Sequence, residues 1–253
     1  MIWQVEDKPP RLGFSTGGAI IGPDNTVYLT CMAYVSKYVP KLVDPFQADA
    51  PWAGLDMSVG KSGRGVISAF DLGSGRIKWR RVMPPRYGAF VAPAIGRMGG
   101  PSSSLRLVVP LGDNPPIAGD PSYGDIARGT RGPAVPARVI ALDAATGNTV
   151  WSYEMPVWHG PAAGESVLLG SMCVPDASGL PAIDGHGVVY VPHEDGKLYA
   201  MSDRDGDGQI SKDEVSTYDF QRAFQGSPAM APGLLVISPC DGLAVWADED
   251  RES

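Results

Sequence analysis

The chain has 253 residues, 43% of them hydrophobic and 19% charged, enough for one large all-β domain or two ordinary ones with a sizeable core. Its net charge of -7 and its 21 scattered Lys and Arg residues exclude a nucleic-acid surface, which needs clustered basic side chains. No apolar run approaches the ~18 residues of a membrane-spanning helix, and the 32 Gly and 24 Pro point to many turns between short strands.

In chain order, "MIWQVEDKPP" lacks the pattern of a signal peptide and reads as a lone strand with Trp3 near its start. "GGAIIGPDNTVYLTC" (Gly17 to Cys31) follows as two strands around a tight turn, with Asn25 supplying positive φ. Residues Ala33 to Arg64 form a long insertion. "VISAFDLGSGRIKWRRVMP" (Val66 to Pro84) is a strand, a Gly turn and a strand carrying Trp79. The same plan returns as "APAIGRMGGPSSSLRLVVPLGD" (Ala92 to Asp113), a second insertion Gly112 to Ala137, and "VIALDAATGNTVWSYEMP" (Val139 to Pro156). Asp71 aligns with Asp143, Gly75 with Gly147, and Trp79 with Trp151, 72 residues on. A third insertion, Val157 to Ser178, leads into "LPAIDGHGVVYVPHEDG" (Leu180 to Gly196) and "LYAMSDRDGDGQISKDEVSTYDF" (Leu198 to Phe220), where Tyr218 takes the Trp place. "SPAMAPGLLVISPCDG" and "GLAVWADED" start a fourth copy that stops before its Trp strand. Gly185 and Gly233 are assigned the positive-φ positions of the later hairpins.

Each unit is therefore four short antiparallel strands, A to D. Four self-similar units of about 70 residues predict a single all-β domain over residues 1–253, a β-propeller of four-stranded blades. Whether the four close on themselves or form half of a larger ring stays open. A second copy could complete the larger ring as a homodimer. The orphan strand around Trp3 is expected on the outer edge of the last blade, where it would remove two exposed sheet edges.

"SGLPAIDGHGVVYVPHEDGKLYAM" and "RVIALDAATGNTVWSYEMP" resemble the repeats of the quinoprotein-like (pyrroloquinoline-quinone-type) propeller family, whose Ala-x-Asp-x-x-x-Gly-x-x-x-Trp segment docks a Trp between neighbouring blades. The resemblance implies a ring fold. It does not choose a function, since dehydrogenases and assembly scaffolds share the repeat. The dehydrogenase alternative implies a quinone cofactor at the ring axis with its own calcium, and in many members an adjacent disulfide-bonded cysteine pair. This chain has no adjacent cysteines.

Strand alternation puts the A–B and C–D turns on one face of the ring. The B–C and D–A connections lie on the other. All three insertions, 33–64, 112–137 and 157–178, thus fall on one face. They carry Tyr34, Tyr38, Phe46, Trp52, Tyr123 and Trp158, which suits a binding surface for a protein or a carbohydrate.

The third C–D turn is enlarged to "DRDGDGQISKDE", residues 203–214. Asp203, Asp205 and Asp207 stand at loop positions 1, 3 and 5, with Gly208 at the sharp turn. Gln209 offers a carbonyl, Ser211 a water-mediated contact and Glu214 a two-oxygen carboxylate. These oxygens predict a Ca²⁺ ligand set. The flanks read as strands rather than helices, so a structural clamp on one hairpin is expected instead of a sensor that opens.

No catalytic residue is assigned. His186 reads as an exposed turn residue. His159 lies in an insertion, His193 and Glu194 lie in a B–C turn, and "GESVLLG" around Ser166 lacks a nucleophile elbow. Cys31, Cys173 and Cys240 have no metal spacing and read as small buried hydrophobes, with one pair plus a thiol left open. The expectation is a non-catalytic, calcium-stabilised binding or scaffold propeller, extracellular or periplasmic, with a quinone-dependent dehydrogenase as its alternative.

Overall fold

A computed structural model describes residues 18–34, 63–99, 102–113, 134–165, 176–224 and 226–248. Trp3 and most of the three insertions lie outside these residues. The first sheet is a meander of β1 (Ala19–Ile21), β2 (Thr26–Tyr34), β3 (Gly63–Asp71) and β4 (Ile77–Val82). The second sheet takes β5 (Ala94–Arg97) and β6 (Leu105–Gly112), steps over a short β7 (Ala134–Val135), and continues with β8 (Ala137–Asp143) and β9 (Thr149–Glu154). A second short strand, β10 (Trp158–His159), pairs with β7. The third sheet holds β11 (Ala182–Ile183), β12 (Val189–Pro192), β13 (Lys197–Met201) and β14 (Val215–Asp219). The fourth holds β15 (Ala229–Ala231), β16 (Leu234–Ile237) and β17 (Ala244–Ala247). Every ladder is antiparallel. The chain is an all-β propeller of four-stranded antiparallel blades. Among the described residues, no strand ladder joins the fourth sheet to the first.

The repeat is visible atom by atom. Asp71 Oδ1 accepts the Ser74 N–H at 2.8 Å and its hydroxyl at 2.6 Å. Asp143 Oδ1 accepts the same pair from Thr146 at 3.0 and 2.9 Å. Gly75 and Gly147 close the two turns at φ 69° and 74°. Both blades slip register at the same place, after Ala69 and after Ala141. Asn25 and Gly233 take the expected positive φ, at 54° and 70°. In the third hairpin the positive φ falls on Gly187 (86°), not Gly185. The cause is Asp184, whose Oδ1 accepts the N–H of His186 and of Val188 at 2.8 and 2.9 Å and so moves the positive φ two residues on.

The core lies in the seams between consecutive sheets. Tyr28, Ile67 and Ala69 of the first sheet bury themselves against Leu107, Val109, Ile140 and Leu142 of the second. Trp79 leaves the first blade, donates Nε1–H to the Ala144 carbonyl at 2.9 Å, and covers Gly147 so closely that a Cβ there would meet its ring at 2.8 Å. Trp151, Val139 and Ala141 of the second sheet meet Val189, Val191 and Met201 of the third. At the next seam Tyr218 stands 5.4 Å from Trp246, edge to face, with Phe220 beside both.

Candidate functional site

The acidic loop hangs between two paired strands. Met201 is opposite Val215, and the Ser202 N–H bonds the Glu214 carbonyl at 3.2 Å. The exit is one 3-10 turn, Lys212–Glu214, capped by Ser211 in a capping box with Glu214, and β14 begins at once. Val215, Thr217 and Tyr218 favour a strand over a helix, so the loop is clamped by a hairpin.

Inside the loop, carboxylate oxygens of Asp203, Asp205 and Glu214 lie within 4.8 Å of one another. Asp203 accepts the N–H groups of Gly206 (2.9 Å) and Gly208 (3.3 Å), and Asp205 accepts that of Asp207 (3.1 Å). Gly206 and Gly208 make this bend at φ 75° and 83°, a region that side chains with Cβ rarely enter. Glu214 Oε2 accepts the Ser211 N–H and hydroxyl, both at 2.9 Å, and Oε1 accepts the Arg204 N–H at 2.6 Å. The N–H groups of Ser211 and Arg204 hold the Glu214 carboxyl at a pKa of about 2, so it is ionised at any physiological pH. Asp207 accepts the Gln209 N–H at 2.7 Å and stands outside the three-carboxylate group. Ser211 spends its hydroxyl on Glu214 and Asp213. A set of carboxylates and carbonyls at this spacing fits a hard cation that takes six to eight oxygens. Asp203, Asp205 and Glu214 would supply its protein carboxylates, and Asp207, Gln209 and Ser211 the rest of the circle.

The loop reaches beyond its own hairpin. Ile210 is buried in the seam with Trp151 and Met201. Gln209 forms a parallel bridge with Ser152 on β9 of the preceding blade, and Gly208 lies so close to that strand that a Cβ would stand 3.0 Å from the Val150 carbonyl. The expected clamp on one hairpin is thus also a contact between two blades. Sequence order alone did not show this, because the partner strand lies about sixty residues upstream.

Elsewhere, β7 and β10 pair Val135 with Trp158 and Ala134 with His159, so the roots of the second and third insertions meet. Trp158 is not displayed there. Its Nε1–H bonds the Pro161 carbonyl at 2.8 Å, and the ring packs beside Ala162, Ala163, Ala223 and Cys240. Tyr38, Phe46, Trp52, Tyr123 and Ser166 lie outside the described residues. Cys31 is buried and directs its thiol to the Val66 carbonyl. Cys240 is disulfide-bonded, which overturns its reading as a plain buried hydrophobe. Cys31 is a thiol, and Cys173 lies outside the described residues.

His186 is exposed, as its turn predicts. His193 and Glu194 are not: both side chains are 0% exposed. The turn "HED" gave no sign of this, because short turns are normally solvated. Near it, Gly88, Phe90, Val91, Pro110, Leu111, Gly112, Ala177 and Ser178 line a cavity of about 10 Å³. A carboxylate-bearing quinone does not fit these surroundings. The volume is below the ~300–1,000 Å³ of sites for ligands of that size. The buried charges nearby are Asp113, Glu194 and Asp195, and Arg86 is already held by Asp113 at 2.6 Å.

Residues 62–251, three quarters of the chain, match the model of the PQQ_2 family, described as outer membrane protein assembly factor BamB. No curated protein matches the chain. Among solved structures, BamB from Moraxella catarrhalis aligns over 100% of this chain and 62% of its own, at 13% identity and a TM-score of 0.36. The quinohemoprotein alcohol dehydrogenase ADHIIG from Pseudomonas putida HK5 aligns over 74% and 34% at 10% identity and 0.39. The quinohemoprotein alcohol dehydrogenase from Comamonas testosteroni aligns over 89% and 44% at 12% identity and 0.32. The chain thus spans between about a third and somewhat under two thirds of the length of these proteins. On the family match, with the repeated Asp turn and the seam-docking Trp79, the chain belongs to the PQQ_2 family of BamB-type repeat propellers.

Proposed function

We propose that the chain is a non-catalytic scaffold propeller, stabilised by calcium in the 203–214 loop, that binds a protein partner through its loop-bearing face. The observation that carries this reading is the β7–β10 ladder. It ties the roots of two insertions together, which supports a stable base for the long connections. The family's description as an assembly factor favours a protein partner over a carbohydrate. The disulfide at Cys240 and a calcium loop of modest affinity, about 10⁻⁴ to 10⁻³ M as in extracellular modules, favour an oxidising, calcium-rich compartment such as the periplasm or the cell exterior.

Replacing residues 35–62 by a short turn tests the binding face. Pull-downs from an envelope extract of the native host should lose their captured protein, while melting remains cooperative. Retained capture would move the site elsewhere. The mass in solution tests the homodimer: a monomer carrying the binding activity would remove any need for a second copy.

A further inference from the structure

Ser178, His193 and Glu194 bury polar atoms that nothing among the described residues satisfies. Both oxygens of Glu194, Nε2 of His193 and Oγ of Ser178 have no hydrogen-bond partner, although the three residues are at most 4% exposed. Buried polar atoms are paired in the great majority of cases, so such a group points to something that completes it. The three residues lie on adjoining backbone segments. Ser178 and His193 are bridge partners on neighbouring strand segments, and His193 Nε2 is 4.0 Å from Glu194 Oε1.

The imidazole is also held in one orientation. His193 Nδ1 stands 3.0 Å from Asp195 Oδ1. The Asp195 carboxylate is itself anchored by the Tyr199 hydroxyl at 2.6 Å and the Lys197 N–H at 3.0 Å. Nδ1 also lies 3.3 Å from the Asp195 N–H; of these two contacts the carboxylate is the shorter, and a proton held there would leave the Nε2 lone pair facing Glu194. A histidine backed by a carboxylate on one nitrogen and open on the other is the usual arrangement of a metal-ligating imidazole. The backbone is fixed as well: the Glu194 N–H bonds the Ala177 carbonyl at 3.2 Å, and the Glu194 carbonyl accepts the Ala163 N–H at 2.8 Å.

We propose that His193 Nε2 and the Glu194 carboxylate bind a first-row divalent metal ion of the zinc class, separate from the calcium loop, with Ser178 Oγ beside it. A nitrogen donor selects a borderline metal over calcium, which takes oxygen. Two donors at about 2.0–2.2 Å from one tetrahedral ion stand about 3.4 Å apart, so the 4.0 Å gap must close by about 0.6 Å. The Glu194 side chain can supply that movement, since neither oxygen is tied. The remaining coordination positions go to Ser178 Oγ and to water.

The test uses the full chain, stripped with chelator and then held in excess calcium so that the acidic loop is occupied. Calorimetric titration with zinc chloride should show one site. His193→Gln and Glu194→Gln should remove it, and Asp195→Asn should weaken it roughly 10- to 100-fold. Calcium binding, read separately, should be unchanged in all three. In crystals of the zinc-treated wild type, an anomalous peak at the zinc edge should lie between Nε2 and Oε1. Zinc heat that persists in the Glu194→Gln variant would overturn the proposal, as would density at this place with no anomalous signal, which would assign it to water alone. Neither outcome touches the scaffold reading.

Discussion

Replacing Ile210 by alanine separates a loop that joins two blades from one that braces only its own hairpin. Ile210 is 9% exposed and shares its cluster with Val139, Ala141 and Trp151 of the second sheet and with Val189, Val191 and Met201 of the third. The change removes three carbons, or about 2.4 kcal/mol at ~0.8 kcal/mol per buried CH₂. Space left unfilled adds to this, within the roughly 2–5 kcal/mol span of such truncations. Ile210 sits at the rim of the cluster, where the loop can settle, so the expected loss is about 2–3 kcal/mol. At about 2–4 °C per kcal/mol for a chain of this size, melting falls by about 4–12 °C. Thermal and urea unfolding in excess calcium, followed by tryptophan fluorescence, measures both quantities, and Trp151 reports on this seam. Lys212→Ala, at an exposed position of the same loop, serves as the control. A loss below about 0.5 kcal/mol for Ile210→Ala, the range of ordinary surface substitutions, would refute the seam contact.

Calcium at a hundredfold excess over its Kd should stabilise the chain by about 2.7 kcal/mol, and Asp205→Ala or Glu214→Ala should abolish the difference between melts in calcium and in chelator. Gly147→Ala should cost more than about 1 kcal/mol in urea unfolding, because φ is 74° and the new Cβ would meet the Trp79 ring at 2.8 Å; Gly185→Ala, with open space around it and no positive φ, should be far milder. For Asp143, burial raises the carboxyl pKa, but the Thr146 bonds and Arg106 outweigh it and leave the pKa below the ordinary value. A depressed folded pKa gives stability that is present above the unfolded value of about 3.9 and is lost as pH falls through the folded one. Urea midpoints of Asp143→Asn should therefore lie below wild type at neutral pH and converge on it in acid; a constant offset across pH would contradict the assignment.

The blades were legible because each repeat spells its own turn. The Asp, the Ser or Thr three residues on and the Gly after it recur at 71–75 and 143–147, and the structure uses them identically. The strand flanks of the acidic loop were legible for a similar reason, since β-branched and aromatic residues continue on both sides of it. What escaped was contact between distant segments. The β7–β10 ladder joins two pairs of residues that no local pattern links. Burial of His193 and Glu194 depends on the neighbouring segment at 177–178, and nothing inside "PHEDG" records that neighbour. The shift of positive φ from Gly185 to Gly187 turned on one Asp184 side chain choosing two N–H groups.

The enlarged loop also shows how a blade can accept a long acidic insertion without changing the plan of the sheets. At the first seam, Trp79 docks on the short 143–148 turn of the next blade, through the Ala144 carbonyl and the face of Gly147. At the second seam, Trp151 meets the equivalent turn of its own next blade, and that turn is the acidic loop, represented by Ile210. The slot is the same and its contents differ: a glycine face in one, an apolar plug hung from a carboxylate cage in the other. A plug on a long loop is ordered only when the loop is, and the close carboxylates of Asp203, Asp205 and Glu214 repel one another in the absence of a cation. Calcium bound there, as proposed, would act at the joint between two blades. Its removal should loosen the second seam before it alters the loop-bearing face, so partner capture and calcium-dependent stability should be separable in single variants.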